Sequence, residues 1–108
     1  MIIKGILMGI SPVLEVGSYP TIKKRQILLQ TFDQYPQLLV FDLLQHNTKL
    51  VDDINLRATI EVHFIIRGKS WKNKEGVTTF INNYICFKIN DIIPVLDVGA
   101  KNYLNYDK

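Results

Sequence analysis

The chain has 108 residues, 47% of them hydrophobic, and carries a net charge of +3. This length suits one domain with a single core, and the hydrophobic share argues against intrinsic disorder. No apolar run approaches the roughly 20 residues that a transmembrane helix needs, so we expect no membrane span and no membrane partner. The single cysteine, Cys86, cannot form an internal disulfide, and this favours a reducing cytoplasm as the location.

The first half of the chain predicts three strands. Ile2–Ile10 is apolar and interrupted by glycines, which is typical of a bulge or of a strand bent at a barrel corner. Residues 11–21 contain two prolines and a glycine and predict a loop. Residues 22–32 and 36–44 are rich in Ile, Leu, Val and Phe, and the turn between them contains Asp33 and Pro36. Together they predict a β-hairpin.

The second half predicts a helix and two further strands. Residues 45–56 change to a helical period, whereas residues 58–67 alternate cleanly between apolar and polar side chains. Residues 68–77 form a polar, basic segment around the only tryptophan and predict a loop. Residues 78–89 are apolar on both faces, so this strand is either central in a barrel or packed on another subunit.

The order of these elements is β-β-β-α-β-β. A five-stranded barrel with one short helix between strands 3 and 4, and a glycine-bent first strand, is the oligonucleotide/oligosaccharide-binding (OB) fold. We therefore predict a mainly β protein with an OB-fold domain at residues 1–90. Residues 91–108 have weak periodicity and predict a C-terminal extension that is either partly mobile or docked elsewhere. The alternative is a small SH3-like or other β-barrel in which the helical segment is an irregular loop.

Most of the positive charge is concentrated in two clusters. One is Lys23-Lys24-Arg25, and the other consists of Arg67, Lys69, Lys72 and Lys74, with Glu75 as the acid close by. Such clusters suit phosphate contacts, because each neutralised phosphate releases condensed counterions. The alternative is that these side chains only keep loops soluble.

Three stretches of the sequence resemble a known family. They are MIIKGILMGISPV, RQILLQTFDQYPQLLVFDLL and FINNYICFKI, with the Ile-Ser-Pro at residues 10–12 and the Thr-x-x-Gln-Tyr-Pro turn at residues 31–36 as their most specific features. Together they resemble a bacterial family of small OB-fold proteins related to single-stranded-DNA-binding protein. The chain departs from that family in Leu56-Arg57-Ala58, where a glycine is expected, and in lacking a tryptophan near Lys24. It also lacks the acidic, Phe-terminated tail that recruits repair enzymes.

An OB barrel binds single strands by stacking bases on aromatic rings and by tracking phosphates with Lys and Arg. Its groove lies on the second and third strands and on the loops between strands 1 and 2 and strands 4 and 5. A stacking tryptophan contributes about 1–3 kcal/mol per base, so Trp71 is the sharpest candidate, although a lid over one barrel end is the alternative for this ring. The predicted nucleic-acid-binding residues are Lys23, Lys24, Arg25, Arg67, Lys69, Trp71, Lys72 and Lys74.

Catalysis finds little support in the sequence. There is no Gly-rich phosphate loop, no Ser-His-Asp arrangement and no Cys/His spacing for zinc. We expect no enzyme activity, no cofactor, no metal and no small-molecule substrate. The leading hypothesis is a homo-oligomer that binds single-stranded nucleic acid, DNA in the first place, with little sequence preference. The alternatives are an OB-like protein–protein interaction or assembly module without nucleic-acid binding, and a purely structural homo-oligomer.

Overall fold

The computed structural model of the protein describes residues 1–93. Within that range the chain forms strands joined by short turns and one 3-10 helix. The elements in chain order are β1 (Ile2–Ile10), β2 (Leu14–Val16), β3 (Ile22–Thr31), β4 (Leu38–Leu44), the 3-10 helix (Gln45–Val51), β5 (Thr59–Lys72) and β6 (Thr78–Ile93).

Five strands close into a barrel. Around the ring β1 is followed by β5, β6, β4 and β3, and β3 pairs again with β1. The neighbours are antiparallel except β4 and β6, which are parallel and pair at Asp42 and Ile85. The short β2 lies in the predicted loop and extends the sheet beside the start of β3. This ring, with its helix between the third and fourth barrel strands, confirms the predicted OB fold.

The barrel interior is filled by alternate side chains of each strand. Because successive residues of a strand face opposite sides of the sheet, Ile27 and Leu29 of β3 point inward together with Phe41 and Leu43 of β4. Phe41 is completely buried, and its ring centroid lies 5.0 Å from that of Phe64 in an edge-to-face contact. The alternation predicted for residues 58–67 agrees with the structure, because Ile60 and Val62 are completely buried.

The glycine-interrupted first strand is a corner of the barrel, as predicted. β1 pairs with both β3 and β5, and its register against β3 shifts between Leu7 and Gly9. At Gly5 a Cβ atom would lie 2.4 Å from the carbonyl oxygen of Gln30 and 2.8 Å from Cγ of Leu29. A side chain at this position would therefore force the two strands apart, which explains the glycine.

The structure corrects three predicted boundaries. The predicted loop at residues 68–77 is shorter than expected, because β5 continues to Lys72 and leaves only residues 73–77 as the turn, while β6 begins at Thr78 as predicted. The polar composition of residues 68–72 suggested a loop because this part of β5 is exposed on both faces. The helix ends at Val51 and is a 3-10 helix, and β6 continues past the predicted strand end at residue 89 to Ile93. The rest of the predicted extension, 94–108, lies outside the described residues and stays a prediction.

Candidate nucleic-acid interface

β5 and β6 continue beyond the barrel as a two-stranded ribbon, which we call the arm (residues 66–84). Its register is regular from the pair Ile66–Tyr84 to the pair Lys72–Thr78. At about 3.4 Å per residue the ribbon projects roughly 20 Å.

The turn at the tip of the arm is held by a hydrogen-bonded asparagine. Oδ1 of Asn73 accepts from the backbone N–H groups of Glu75 and Val77, both at 2.9 Å. The backbone of Asn73 bonds Val77 at 3.0 Å, and Gly76 adopts a φ of +83°, which an L side chain would disfavour. The tip is therefore an ordered turn that fixes the register of both strands.

The arm has two different faces, set by the pairing of its strands. Phe64 and Cys86 point into the barrel. Residues an even number of positions from them along each strand therefore lie on the inner face of the arm, and residues an odd number of positions away lie on the outer face. The outer face carries three of the predicted binding residues on β5, paired with small or uncharged residues on β6. These pairs are Arg67–Asn83, Lys69–Ile81 and Trp71–Thr79.

Two of the four cations of the second basic cluster share one surface with Trp71 in the folded protein. Arg67, Lys69 and Trp71 are all exposed and lie side by side on the outer face, while Lys72 lies on the inner face and Lys74 in the turn. Glu75 is the one acidic residue within the arm sequence. The arm thus carries a net positive charge beside an indole that is 49% exposed.

The first basic cluster is dispersed by the fold. Lys23 is exposed and directly opposite Glu15 across the β2–β3 pair. Nζ of Lys24 lies 3.8 Å from Oδ2 of Asp42, so its charge is partly neutralised within the protein. β3 is a strand at these positions, and consecutive residues of a strand cannot share a face.

Arg25, the third residue of that cluster, is 7% exposed and serves the fold. Its Nε donates to the carbonyl of Ser11 at 2.9 Å, and Nη1 donates to the carbonyl of Thr48 and to Oδ1 of Asp52. The guanidinium therefore ties the loop after β1 to the 3-10 helix, and it is not part of the exposed surface.

We expect Arg25→Ala to lower the free energy of unfolding by about 2–4 kcal/mol, because the buried carbonyl of Thr48 and two partly buried acceptors lose a charged donor. Urea unfolding followed by circular dichroism measures this change. The matched control is Lys23→Ala, which removes an exposed cation two residues away on the same strand and should change stability by less than about 0.5 kcal/mol. Equal effects of the two substitutions would contradict the structural role of Arg25.

The outer face of β3 and β4, where the sequence predicted part of the groove, offers neither a stacking ring nor a free cation. Leu28 pairs with Val40 and Gln30 with Leu38 across this face, and Lys24 is ion-paired with Asp42. Among the predicted binding residues, exposed cations therefore lie together only on the arm. Sequence reasoning missed this division because it depends on which faces of distant strands adjoin.

A cleft of about 360 Å³ opens between β4 and β6. The two strands pair at Asp42 and Ile85 and diverge toward their N-terminal ends. The polar part of the lining comes from Gln26, Asp42, Asn82 and Asn83, and the rest from Tyr84 and apolar residues of β4. The sequence signal for this site was the pair of asparagines in the middle of an otherwise apolar strand.

Three side chains of reactive types, Glu61, His63 and Cys86, are engaged in structure. Nε2 of His63 lies 2.9 Å from Oε1 of Glu61, and Asn90 donates to the same oxygen at 2.8 Å. These two hydrogen bonds lower the pKa of Glu61. Burial raises the pKa of the Cys86 thiol to about 11, so it is a poor nucleophile near neutral pH.

Among residues 1–93, no cluster of three or more His, Cys, Asp or Glu side chains is arranged to hold a metal ion. No helix in the same range has the length and apolar character needed to cross a membrane.

The sequence matches a protein family over nearly the whole barrel. The family is described as "Domain of unknown function (DUF3127)", and the match covers residues 2–90. The chain belongs to this family. The DUF3127 domain thus includes β1, the arm and most of β6. No curated protein is a significant match to this sequence.

Solved structures resemble the DUF3127 domain in fold. Two crystal structures of Rim1, a mitochondrial single-stranded DNA binding protein from S. cerevisiae, superpose with a TM-score of 0.58. Each alignment covers 88% of this chain and 95% of the Rim1 chain, at 13% and 15% sequence identity. At such identity the likeness establishes a shared OB fold.

Proposed function

We propose that the protein binds single-stranded nucleic acid, DNA in the first place, through the outer face of the arm and without catalysing a reaction. The observation that carries this proposal is the row of Arg67, Lys69 and Trp71 on one exposed face. Each of these side chains was predicted from sequence as a binding residue, and the strand register brings them into a line.

The arrangement suits an unpaired strand for a geometric reason. Residues two apart on one face of a strand are separated by about 7 Å, a spacing that the backbone of a flexible single strand can follow. Arg67 and Lys69 would then neutralise successive phosphates, while a base stacks on the indole of Trp71. Stacking and phosphate contacts carry no base identity, so they give affinity with little sequence preference.

The structural neighbours support the same function. The two Rim1 structures are described as those of single-stranded DNA binding proteins. We extend that activity to this chain because the arm supplies the cations and the aromatic ring that such binding requires.

Titration with oligo-dT at low salt should quench the fluorescence of Trp71, which is the only tryptophan in the chain. Rising salt should reverse the quenching, because counterion release is lost. Trp71→Ala should weaken binding, measured by anisotropy of a labelled oligonucleotide, by about 1–3 kcal/mol, whereas Trp71→Phe should retain part of the stacking. Absence of both quenching and anisotropy change at low salt would contradict the proposal.

A second candidate function is protein assembly, either as a homo-oligomer or as an adaptor. It is favoured by apolar side chains that the barrel leaves exposed, including Ile2 at 59%, Leu38 at 60% and Phe87 at 48%. Sedimentation of the wild-type protein and of a variant lacking the arm cations separates the two functions. An oligomer that persists in a variant unable to bind DNA supports assembly, and a monomer in both proteins excludes the homo-oligomer.

A further inference from the structure

The cleft between β4 and β6 adjoins the cationic row of the arm. Asn83, which lines the cleft, is the direct cross-strand partner of Arg67. Side chains so paired have Cβ atoms about 5 Å apart. A phosphate held at Arg67 would therefore place its own nucleotide at the entrance of the cleft.

No cationic side chain lines the cleft, so it is unsuited to a phosphate. Its lining instead combines side-chain amides and one carboxylate with the ring of Tyr84 and apolar side chains. Flat heteroaromatic groups with hydrogen-bonding edges match such a lining, because the ring packs on apolar surface while the amides meet its edge.

The hydrogen bonds in the cleft determine which edge of a heteroaromatic ring fits best. Nε2 of Gln26 donates to Oδ1 of Asp42 at 3.0 Å, so Oε1 of Gln26 is left as an acceptor. The second carboxylate oxygen of Asp42 lies 3.8 Å from Nζ of Lys24, beyond hydrogen-bond distance, and remains a second acceptor. A group that enters on the β3–β4 side of the cleft meets these two acceptors and should offer a donor there, whereas the NH2 groups of Asn82 and Asn83 on the β6 side can donate to another edge atom.

We propose that this cleft binds one unstacked nucleobase of the bound strand and selects bases with an exocyclic amino group. Cytosine presents such a donor through N4, whereas thymine presents a carbonyl oxygen at the same position, which Gln26 and Asp42 would repel. This inference rests on the proposed binding of single strands by the arm. It adds a base preference that the arm alone does not provide.

The test compares oligo-dC with oligo-dT of equal length, by anisotropy at one low salt concentration. We expect the wild-type protein to bind oligo-dC about 5- to 10-fold more tightly, in the range that one good base-edge contact provides. Gln26→Leu and Asn83→Ala should each reduce the ratio of the oligo-dC affinity to the oligo-dT affinity toward 1, while oligo-dT binding is retained. The matched control is Gln30→Leu, on the same face of β3 and outside the cleft lining, which should leave the ratio unchanged.

Each outcome decides between the two proposals. If the wild-type protein binds both oligonucleotides but binds oligo-dC no more tightly than oligo-dT, the cleft inference is overturned and the arm proposal stands. A preference for oligo-dC that survives both cleft substitutions also overturns the inference. Failure to bind either oligonucleotide overturns the proposed function, and the cleft inference with it. Removal of the arm cations should weaken the binding of both oligonucleotides equally.

Discussion

Replacing Arg67 and Lys69 together by alanine is expected to lower the salt dependence of single-strand binding. For single strands the slope of log K against log salt changes by about 0.7 for each phosphate contact, so loss of two contacts should reduce its magnitude by about 1.4. Anisotropy titrations across a series of salt concentrations measure this slope. Because these side chains are exposed, the free energy of unfolding should change by less than about 0.5 kcal/mol for each substitution.

The matched control removes the same charge from other surfaces. Lys4 and Lys88 are exposed and lie on β1 and the barrel part of β6. Their combined replacement by alanine lowers the net charge by the same amount but should leave the salt slope nearly unchanged. Equal slopes for the two double variants would show that binding follows total charge, and the arm would lose its assigned role.

Phe41→Ala is expected to have the largest effect on stability. The side chain is completely buried, with its ring 5.0 Å from that of Phe64 and 5.8 Å from that of Tyr84. Removing a buried phenylalanine costs about 3–5 kcal/mol, through lost burial and the cavity that remains. Urea unfolding should show the loss as a lower midpoint, and a marginal domain would be largely unfolded.

Val40→Ala is the matched control for this prediction. Val40 precedes Phe41 on β4, faces outward and is 37% exposed, so its truncation should cost about 1 kcal/mol or less. Comparable losses for the two variants would indicate that Phe41 does not occupy the core of the barrel. Tyr84 and Phe64 also stand at the base of the arm, so a cavity at Phe41 should loosen the arm and weaken oligonucleotide binding as well.

Stability and binding can be tested by different substitutions, because the arm and the barrel are held together in different ways. Its two strands are exposed on both faces and are held by their mutual pairing and by the Asn73 turn, whereas the barrel strands are held by burial of their inner faces. Substitutions on the outer face of the arm therefore test binding, and substitutions such as Arg25→Ala test the barrel.

The sequence alone determined the architecture of this protein. Period-2 alternation at residues 58–67 marked the inner face of β5, the glycines of β1 marked the barrel corner, and the helical period between the third and fourth barrel strands indicated an OB fold. These features are visible in sequence because each depends on local geometry: which side of a strand a residue faces, and where a backbone needs a residue without a Cβ. The second basic cluster, with Trp71, was found by the same local reading.

The tertiary structure decided which of the predicted residues form a surface. Lys23, Lys24 and Arg25 are adjacent in sequence, yet the strand separates them: Lys23 faces Glu15, Lys24 approaches Asp42, and Arg25 is buried. The polar composition of residues 68–72 predicts a loop, because an exposed strand and a loop share such a composition, and only the pairing of β5 with β6 distinguishes them. The cleft could not be predicted from the sequence either, because Gln26 and Asn83 are far apart in the chain and come together only where β4 and β6 diverge.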